Sequence, residues 1–137
     1  MSNFIKSYQA NVGLNHVPAY QVSGQPFATG SVSAATATKI EFPYVTRWIY
    51  VVNHDGTNHC RVGFSQIGVE GTNYFRLSPE SAGAEQTQHS QRLELKVSEL
   101  WVSGSTSVDI VAGLTSIPTS RTTTADGTSW SGSSGVG

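Results

Sequence analysis

Short runs of alternating apolar and polar residues, separated by glycine, proline and other turn residues, most limit what this chain can fold into. The clearest run covers residues 92–97, where Leu93, Leu95 and Val97 alternate with Arg, Glu and Lys. A period of two places successive side chains on opposite faces of a β-strand. No stretch of ten or more residues follows the helical period of 3.6. The pattern therefore predicts an all-β domain.

Eight segments of the chain fit strands of this kind. The strongest covers residues 45–53, VTRWIYVVN, whose unbroken apolar run indicates burial on both faces at its middle. Asp55 and Gly56 follow as a tight-turn signal, which predicts a hairpin between this strand and residues 58–64. The predicted strands are residues 26–33, 36–42, 45–53, 58–64, 73–77, 91–97, 99–103 and 108–115. Eight short antiparallel strands indicate a sandwich or barrel, and the eight-stranded sandwich that fits is the jelly roll.

The strand pattern divides the chain into an N-terminal arm (1–24), the strand domain (25–118) and a C-terminal tail (119–137). The tail is rich in Ser, Thr and Gly, which predicts flexibility, and its Trp130 is either a lone aromatic residue or a docking residue. The arm is either disordered or docked on another surface. Its large apolar residues fit neither period, and they support docking because a purely solvated tail would carry fewer of them: Phe4, Ile5, Tyr8, Val12 and Leu14.

The core is expected to form from inward-facing residues of the eight strands. The expected core residues are Phe42, Trp48, Val51, Phe64, Phe75, Leu95, Trp101 and Ile110. Aromatic residues can also stack on sugars, and Trp48, Tyr50, Tyr74 and Trp101 are the candidates for that role. Core packing is the preferred reading for Trp48 and Tyr50, because they lie in the most apolar strand.

Charge and composition exclude several kinds of function. Only 12% of the residues are charged and the net charge is −1, without a basic stripe, so direct nucleic-acid binding is not expected. Low charge suits a surface covered by partners, although β-proteins in general also show it. Cys60 is the single cysteine, so no intrachain disulfide is expected. No apolar run is long enough for a membrane span, and the first residues lack a signal-peptide core, which predicts synthesis in a cytosol.

Four side chains that could bind a metal lie close together in the sequence at the predicted hairpin, namely His54, Asp55, His59 and Cys60. His59 and Cys60 are adjacent in a predicted strand, so their side chains should point to opposite faces. An ordinary polar turn is therefore the preferred interpretation. No nucleophile, phosphate-binding or zinc motif occurs in the sequence. We expect no catalytic residues, no cofactor and no metal, and hence no enzyme.

The sequences of five strand-bearing segments together resemble one protein family. The segments are AYQVSGQPFATGSV (19–32), FPYVTRWIYVVN (42–53), CRVGFSQIGVEGTNYFRL (60–77), RLELKVSELWVSG (92–104) and VDIVAGLTSIP (108–118). Together they resemble the small single jelly-roll capsid proteins of large icosahedral double-stranded DNA viruses. The resemblance implies a structural virion protein, a vertex (penton) or minor capsid subunit made in the host cytoplasm. It also implies a homopentamer in contact with neighbouring capsid proteins. In that assembly the five apolar residues of the arm would contact a neighbouring subunit, and loops 65–72 and 78–90 would lie at one end or at subunit edges.

Three other functions remain as alternatives. The chain could be a spike or decoration module on a virion that binds a host glycan or receptor, which needs aromatic and polar groups in one cleft. It could be a trimeric head-decoration protein of a tailed phage. It could also be an enzyme on a cupin-like jelly roll, which needs two or three His residues and a carboxylate around a metal. The sequence holds four His residues, most of them in predicted loops or the arm.

Overall fold

The computed structural model describes residues 24–82, 88–125 and 127–137. The five arm residues expected to contact a neighbour lie outside this part of the chain. The described residues form mainly antiparallel strands, which confirms the all-β prediction. The strands are β1 (Gln25–Ala34), β2 (Thr38–Glu41), β3 (Tyr44–Asn53), β4 (Cys60–Gly63), β5 (Tyr74–Leu77), β6 (Glu99–Ser103), β7 (Ser105–Pro118), β8 (Thr123–Thr124) and β9 (Gly127–Thr128). A short helix, α1 (Gln66–Glu70), precedes β5, and 3-10 helices cover Glu80–Ala82 and Thr119–Arg121.

Two antiparallel sheets make up the body of the protein. The first sheet has the strand order β1-β7-β3 and the second has the order β2-β6-β4-β5, while β8 and β9 form a small separate ribbon. Residues 89–97 run antiparallel along the free edge of β3, where Ile49 and Leu93 exchange two backbone hydrogen bonds of 2.8 Å. The N–H of Ser90 continues this pairing by donating to the carbonyl of Val51 at 2.8 Å. Four extended segments therefore lie side by side in each sheet.

The core lies where inward-facing residues of the two sheets meet. On β3, Ile49 and Val51 are fully buried and pair with Ala112 and Ile110 of β7. The second sheet contributes buried side chains in the same alternating way. They are Ile40, Cys60, Val62, Leu77, Leu100 and Val102. Each fully buried aliphatic side chain of this size stabilises the fold by about 1.5–3 kcal/mol relative to exposure.

The expected core residues fall into two groups in the structure. Phe42, Val51 and Ile110 lie in the core, and Phe64 and Phe75 pack against it while partly buried. These five therefore occupy the sandwich interior or its margin, Phe42 and Phe64 each from the position directly after a strand end.

The other three expected core residues require a correction. Leu95 is 36% exposed, and Trp48 and Trp101 are half-buried residues that do not belong to the core cluster. In β3 the inward residues are Ile49 and Val51, so Trp48 faces outward by alternation. The apolar run of β3 is therefore unbroken because its outer face is also apolar, and not because both faces are buried.

The predicted hairpin after β3 is wrong, because β3 and β4 belong to different sheets. Residues 54–59 cross from one sheet to the other. Within this loop the carboxylate of Asp55 accepts hydrogen bonds of 2.8 Å from the backbone N–H groups of Thr57 and Asn58. An Asp side chain that binds the backbone two and three residues further on fixes a wider loop than the two-residue turn of a hairpin.

A short helix replaces part of the loop expected at residues 65–72. The hydroxyl of Ser65 caps α1 by accepting a hydrogen bond of 2.9 Å from the Gly68 N–H. The helix lies against β4 at Gly63, where an added Cβ atom would be 2.6 Å from Cγ1 of Val69. Glycine at position 63 is therefore what allows the helix to approach the strand.

The C-terminal tail, expected to be flexible, instead packs on the body of the protein. It contains a 3-10 helix, the β8–β9 ribbon and a series of turns. Trp130 packs against the core cluster and its indole N–H donates to the carbonyl of Phe64 at 3.2 Å. The hydroxyl of Ser65 donates to the carbonyl of Val136 at 2.6 Å. The Trp130 ring and several turn hydrogen bonds thus hold the tail on the body, although its composition alone indicated disorder.

Candidate interaction surface

The outer face of the first sheet carries aromatic and aliphatic side chains instead of the charged residues usual on a solvated sheet face. Alternation places these side chains outward, since the residues between them point into the core. This surface, which we call the apolar face, consists of Pro26, Ala28, Trp48, Tyr50, Val52 and Val111. Contiguous exposed apolar surface is typical of interaction sites.

The strand register arranges these residues in rows across the sheet. Ala28 pairs with Val111, which pairs on its other side with Tyr50. Val111 is 39% exposed at the centre of this row. The ring of His89 stacks on Tyr50, with 5.5 Å between ring centroids and 24° between the ring planes, and so extends the row beyond β3.

The neighbouring row joins Pro26, Gly113 and Trp48 by the same register. Gly113 has no side chain, so the surface is recessed at the centre of this row, and the Trp48 ring lies at the edge of the recess. The two rows together form an uneven apolar surface that crosses all three strands of the first sheet, about 10 Å from the first strand to the third at the usual strand spacing.

Charged residues lie at the margins of the apolar face. At one end the His54 ring lies between two carboxylates, with Nδ1 3.0 Å from Glu80 and Nε2 3.0 Å from Asp109. Next to Trp48, the guanidinium of Arg47 pairs with Glu94 at 2.9 Å. These partly exposed pairs are already satisfied within the chain.

The side chains considered as metal ligands around the β3–β4 loop lie apart in the structure. Cys60 points into the core with no exposed surface, whereas His59 is exposed. Burial raises the pKa of the Cys60 thiol to about 12, so it stays protonated. His54 is engaged by the carboxylates of Glu80 and Asp109. Within the described residues no three His, Cys, Asp or Glu side chains are grouped in a way that could hold a metal.

Asp55 is buried, and its carboxylate has a structural role. Hydrogen bonds to its carboxylate from the backbone N–H groups of Thr57, Thr106 and Asn58 hold its pKa well below the usual range. The neighbouring Asn53 is fully buried, and its amide group donates to the carbonyls of Asn58, Leu77 and Ser78. Asn53 thus connects the end of β3 to β5 of the second sheet, whereas Asp55 ties the loop after β3 to the start of β7.

A polar cleft of about 290 Å³ lies between the second sheet and the β8–β9 ribbon. Its walls are Lys39, Glu41, Phe42, Ser98, Glu99, Thr119, Thr123, Gly127 and Thr128. The ammonium group of Lys39 lies 2.9 Å from Glu41, and this hydrogen bond raises the pKa of Lys39. Glu99 accepts a hydrogen bond of 2.7 Å from the indole N–H of Trp101. The cleft thus combines carboxylates, an ammonium group and hydroxyls beside a half-buried tryptophan.

The four aromatic residues considered for sugar stacking all lie half-buried on outer faces of the sheets. Tyr74 is covered by the guanidinium of Arg61, which lies 4.7 Å from the ring centroid, and Tyr50 is covered by His89. Trp48 belongs to the apolar face, and Trp101 lies beside the polar cleft. The structure therefore does not bring the four rings into one site.

Some residues of the apolar face were not singled out in the sequence. Pro26, Ala28 and Val111 are small or ordinary aliphatic residues whose role depends on which strands become neighbours. A signal was nevertheless present in β3, because Trp48, Tyr50 and Val52 alternate with Ile49 and Val51. Two apolar sets on one strand indicate either burial on both faces or an exposed apolar face.

Comparison with known proteins gives no match to a family model, to a curated protein or to a solved structure. Among the described residues, no helix is long and apolar enough to cross a membrane.

Proposed function

We propose that this chain is a jelly-roll structural subunit of a virus capsid, placed at a vertex (penton) or as a minor component. In this role it assembles as a homopentamer through lateral contacts between copies, next to other capsid proteins, and it catalyses no reaction. The resemblance of the strand segments to single jelly-roll capsid proteins gives the family. The strand pairing and the apolar face support it independently.

The pairing of the strands supports the jelly-roll part of the proposal. With residues 89–97 counted as the sixth of eight extended segments, the first segment pairs with the eighth and the second with the seventh. The third pairs with the sixth and the fourth with the fifth. Such nested pairing is that of one long antiparallel ribbon rolled into two sheets, the arrangement expected of a jelly roll.

The apolar face is the observation that carries the assembly part of the proposal. Trp48, Tyr50 and Val111 lie outward on the first sheet, where a solvated protein would place charged or hydroxyl side chains. Aromatic residues are enriched and charged residues depleted in the centres of protein interfaces. Burial of this face between copies would stabilise the assembly by about 25 cal/mol per Å² before the costs of association are subtracted.

The oligomeric state of the purified chain tests the proposal directly. We expect closed rings of five copies in light scattering or mass photometry. Val111→Glu, which places a charge at the centre of the apolar face, should shift the chain towards monomers. Arg76→Glu, at an exposed position on the outer face of the second sheet, is the matched control and should leave the rings intact.

Other outcomes of this measurement contradict the proposal in different ways. A chain that stays monomeric at all concentrations rules out lateral assembly of the chain by itself. A trimer favours the decoration protein of a tailed phage. Dissociation of the rings by both substitutions would place the contact elsewhere than on the apolar face.

The polar cleft favours a second function, recognition of a host glycan by a spike or decoration module. Carboxylates such as Glu41 and Glu99 accept hydrogen bonds from sugar hydroxyls, and Trp101 lies close by. A glycan array followed by titration calorimetry tests this. Binding that is lost in Glu99→Gln and kept in Glu94→Gln, an exposed carboxylate outside the cleft, would support the function. An array without signal at high protein concentration would exclude it.

A further inference from the structure

The central rows of the apolar face are free of charge. Across the first sheet they contain Ala28, Val111 and Tyr50 in one row, and Trp48 with Gly113 in the next. The charged residues beside these rows among the described residues have partners at the margins: Asp109 contacts His54, and both Arg47 and Arg92 pair with Glu94. A partner for this surface should therefore be neutral and apolar, since a charged side chain placed there would lose its hydration without a counter-charge.

Residues 1–23 of the chain have this chemical character. They contain one charged residue, Lys6, and no Asp, Glu or Arg. Their large apolar residues are spaced along the segment, among them Phe4, Tyr8, Val12 and Leu14, and most of the remainder is Asn, Gln, Ser, Ala and Gly. Apolar side chains with neutral amides and hydroxyls match an uncharged aromatic surface.

The place where this segment joins the body favours a surface on another molecule. The N–H of Gly24 donates to the carbonyl of Leu114 at 3.0 Å, at the end of the first sheet. From there β1 runs along the sheet towards Ala34, and a segment that continued the line of β1 backwards would extend past this end of the sheet. A return across the apolar face of the same molecule would need a full reversal of the chain, whereas contact with a neighbour does not.

The length of the segment is sufficient for such a contact. Twenty-three residues reach about 76 Å when extended, at about 3.3 Å per residue. A domain of about 100 residues has a radius of gyration of about 13 Å, so the reach exceeds its diameter.

We propose that residues 1–23 of one copy bind across the apolar face of a second copy. The inference rests on the proposed assembly function and assigns the occupant of its contact surface. Tyr8, Val12 and Leu14 contribute apolar side chains to the rows formed by Val111 and Trp48. Each subunit both gives a segment and receives one, which is the head-to-tail arrangement that closes into a ring.

Disulfide trapping between full-length chains tests this inference. Cys60 is fully buried and gives little background, so one chain carries Tyr8→Cys and a second, distinguishable by an affinity tag, carries Val111→Cys. We expect disulfides between the two kinds of chain to form about tenfold or more faster than in the control, because docking raises the effective concentration of the thiols. The control pairs Tyr8→Cys with Arg76→Cys on the other sheet.

A chain that carries both Tyr8→Cys and Val111→Cys separates binding within one molecule from binding between molecules. A product that is only an intrachain disulfide overturns the assignment to a second copy. Equal rates for Val111→Cys and Arg76→Cys overturn the assignment to the apolar face. Ala28→Cys, at an exposed position in the same row, replaces Val111→Cys if that variant does not fold.

The oligomeric state of the same samples keeps this inference distinct from the proposed function. Rings of five copies without preferential trapping at Val111 contradict the placement of residues 1–23 and leave the capsid function standing. Monomers that show no trapping between chains contradict both.

Discussion

The carboxylate of Asp55 accepts two hydrogen bonds of 2.9 Å from Thr106, 51 residues further along the chain, one from its backbone N–H and one from its hydroxyl. The contact joins the loop that leaves β3 to the start of β7. Together with the bonds from the backbone and side chains of Thr57 and Asn58, it places six donors around one buried carboxylate. A buried charge is tolerated only when it is satisfied in this way.

Asp55→Asn should lower the melting temperature. The amide keeps the shape of the side chain, but its nitrogen replaces one of the two acceptor oxygens. It therefore places a donor against either the N–H groups of Thr57 and Asn58 or the N–H and hydroxyl of Thr106. Thermal unfolding followed by circular dichroism measures the effect. Asp109→Asn, a substitution of a partly exposed carboxylate, is the control and should change the melting temperature less. An unchanged melting temperature in Asp55→Asn would contradict the role of the loop.

The same carboxylate should make stability depend on acid pH. Hydrogen bonds from the backbone, that of Thr57 first, lower the pKa of Asp55 in the folded state. Its contribution is therefore present above the unfolded pKa of about 3.9 and is lost as the pH falls towards the folded value. Between about pH 5 and about pH 2, as the pH falls from above the unfolded pKa towards the folded pKa, Asp55→Asn should lose less stability than the wild type. Denaturant titrations at several pH values test this, and parallel curves for both proteins would contradict it.

Ile49→Ala and Trp48→Ala should separate folding from assembly. Ile49 is fully buried, so its truncation should lower the free energy of unfolding by about 2–5 kcal/mol. Trp48 is half-buried on the apolar face, so its truncation should cost less stability and weaken self-association. Urea unfolding and sedimentation velocity on both variants check the prediction. A larger loss of stability in Trp48→Ala than in Ile49→Ala would place Trp48 in the core after all.

Cys60 should report on unfolding. Its thiol is fully buried, and desolvation raises its pKa from about 9 to about 12. The native protein should react with a thiol reagent only through unfolded or opened states, at a rate that increases with urea. Stability should also fall as the pH rises above 9, because the thiol ionises in the unfolded chain before it does so in the folded one. Rapid labelling of the native protein without denaturant would contradict this burial.

Trp130 should hold the tail against the body. Trp130→Ala removes the ring from the surface formed by Phe64, Leu95 and Val97, together with the hydrogen bond to the Phe64 carbonyl. We expect residues 119–137 to become sensitive to proteolysis while the strand domain stays folded. Ser131→Ala, at an exposed position of the same segment, is the matched control. Equal proteolysis of both variants would show that the ring does not hold the segment.

The alternating pattern of the sequence was sufficient to predict the position of most strands. Residues 99–103 and 45–53 were predicted as strands and coincide with β6 and nearly all of β3. Residues 91–97 were predicted as a strand, and they run along the edge of β3 through a few backbone hydrogen bonds only. Side-chain alternation is local and can be read from one segment, which explains this agreement.

Strand partners could not be read in the same way. Asp55 and Gly56 gave a hairpin signal, yet the carboxylate of Asp55 bonds to Thr106 and the chain crosses to the other sheet. The Ser and Gly neighbours of Trp130 left open whether it is a lone aromatic residue in a flexible tail or a docking residue, and only the nearby surface around Phe64 explains its position. Both outcomes depend on residues more than 50 positions away, which composition and period do not reveal.

The sequence by itself determined an all-β chain, low in charge, whose side chains alternate along short strands. The tertiary structure decided which of the two apolar sets on β3 is buried, because that choice depends on which sheet lies opposite. It placed Ile49 and Val51 inward and left Trp48 and Tyr50 outward beside Val111. The apolar face exists only once strands distant in the chain become neighbours, since hydrogen bonding between strands brings their outward residues into one surface.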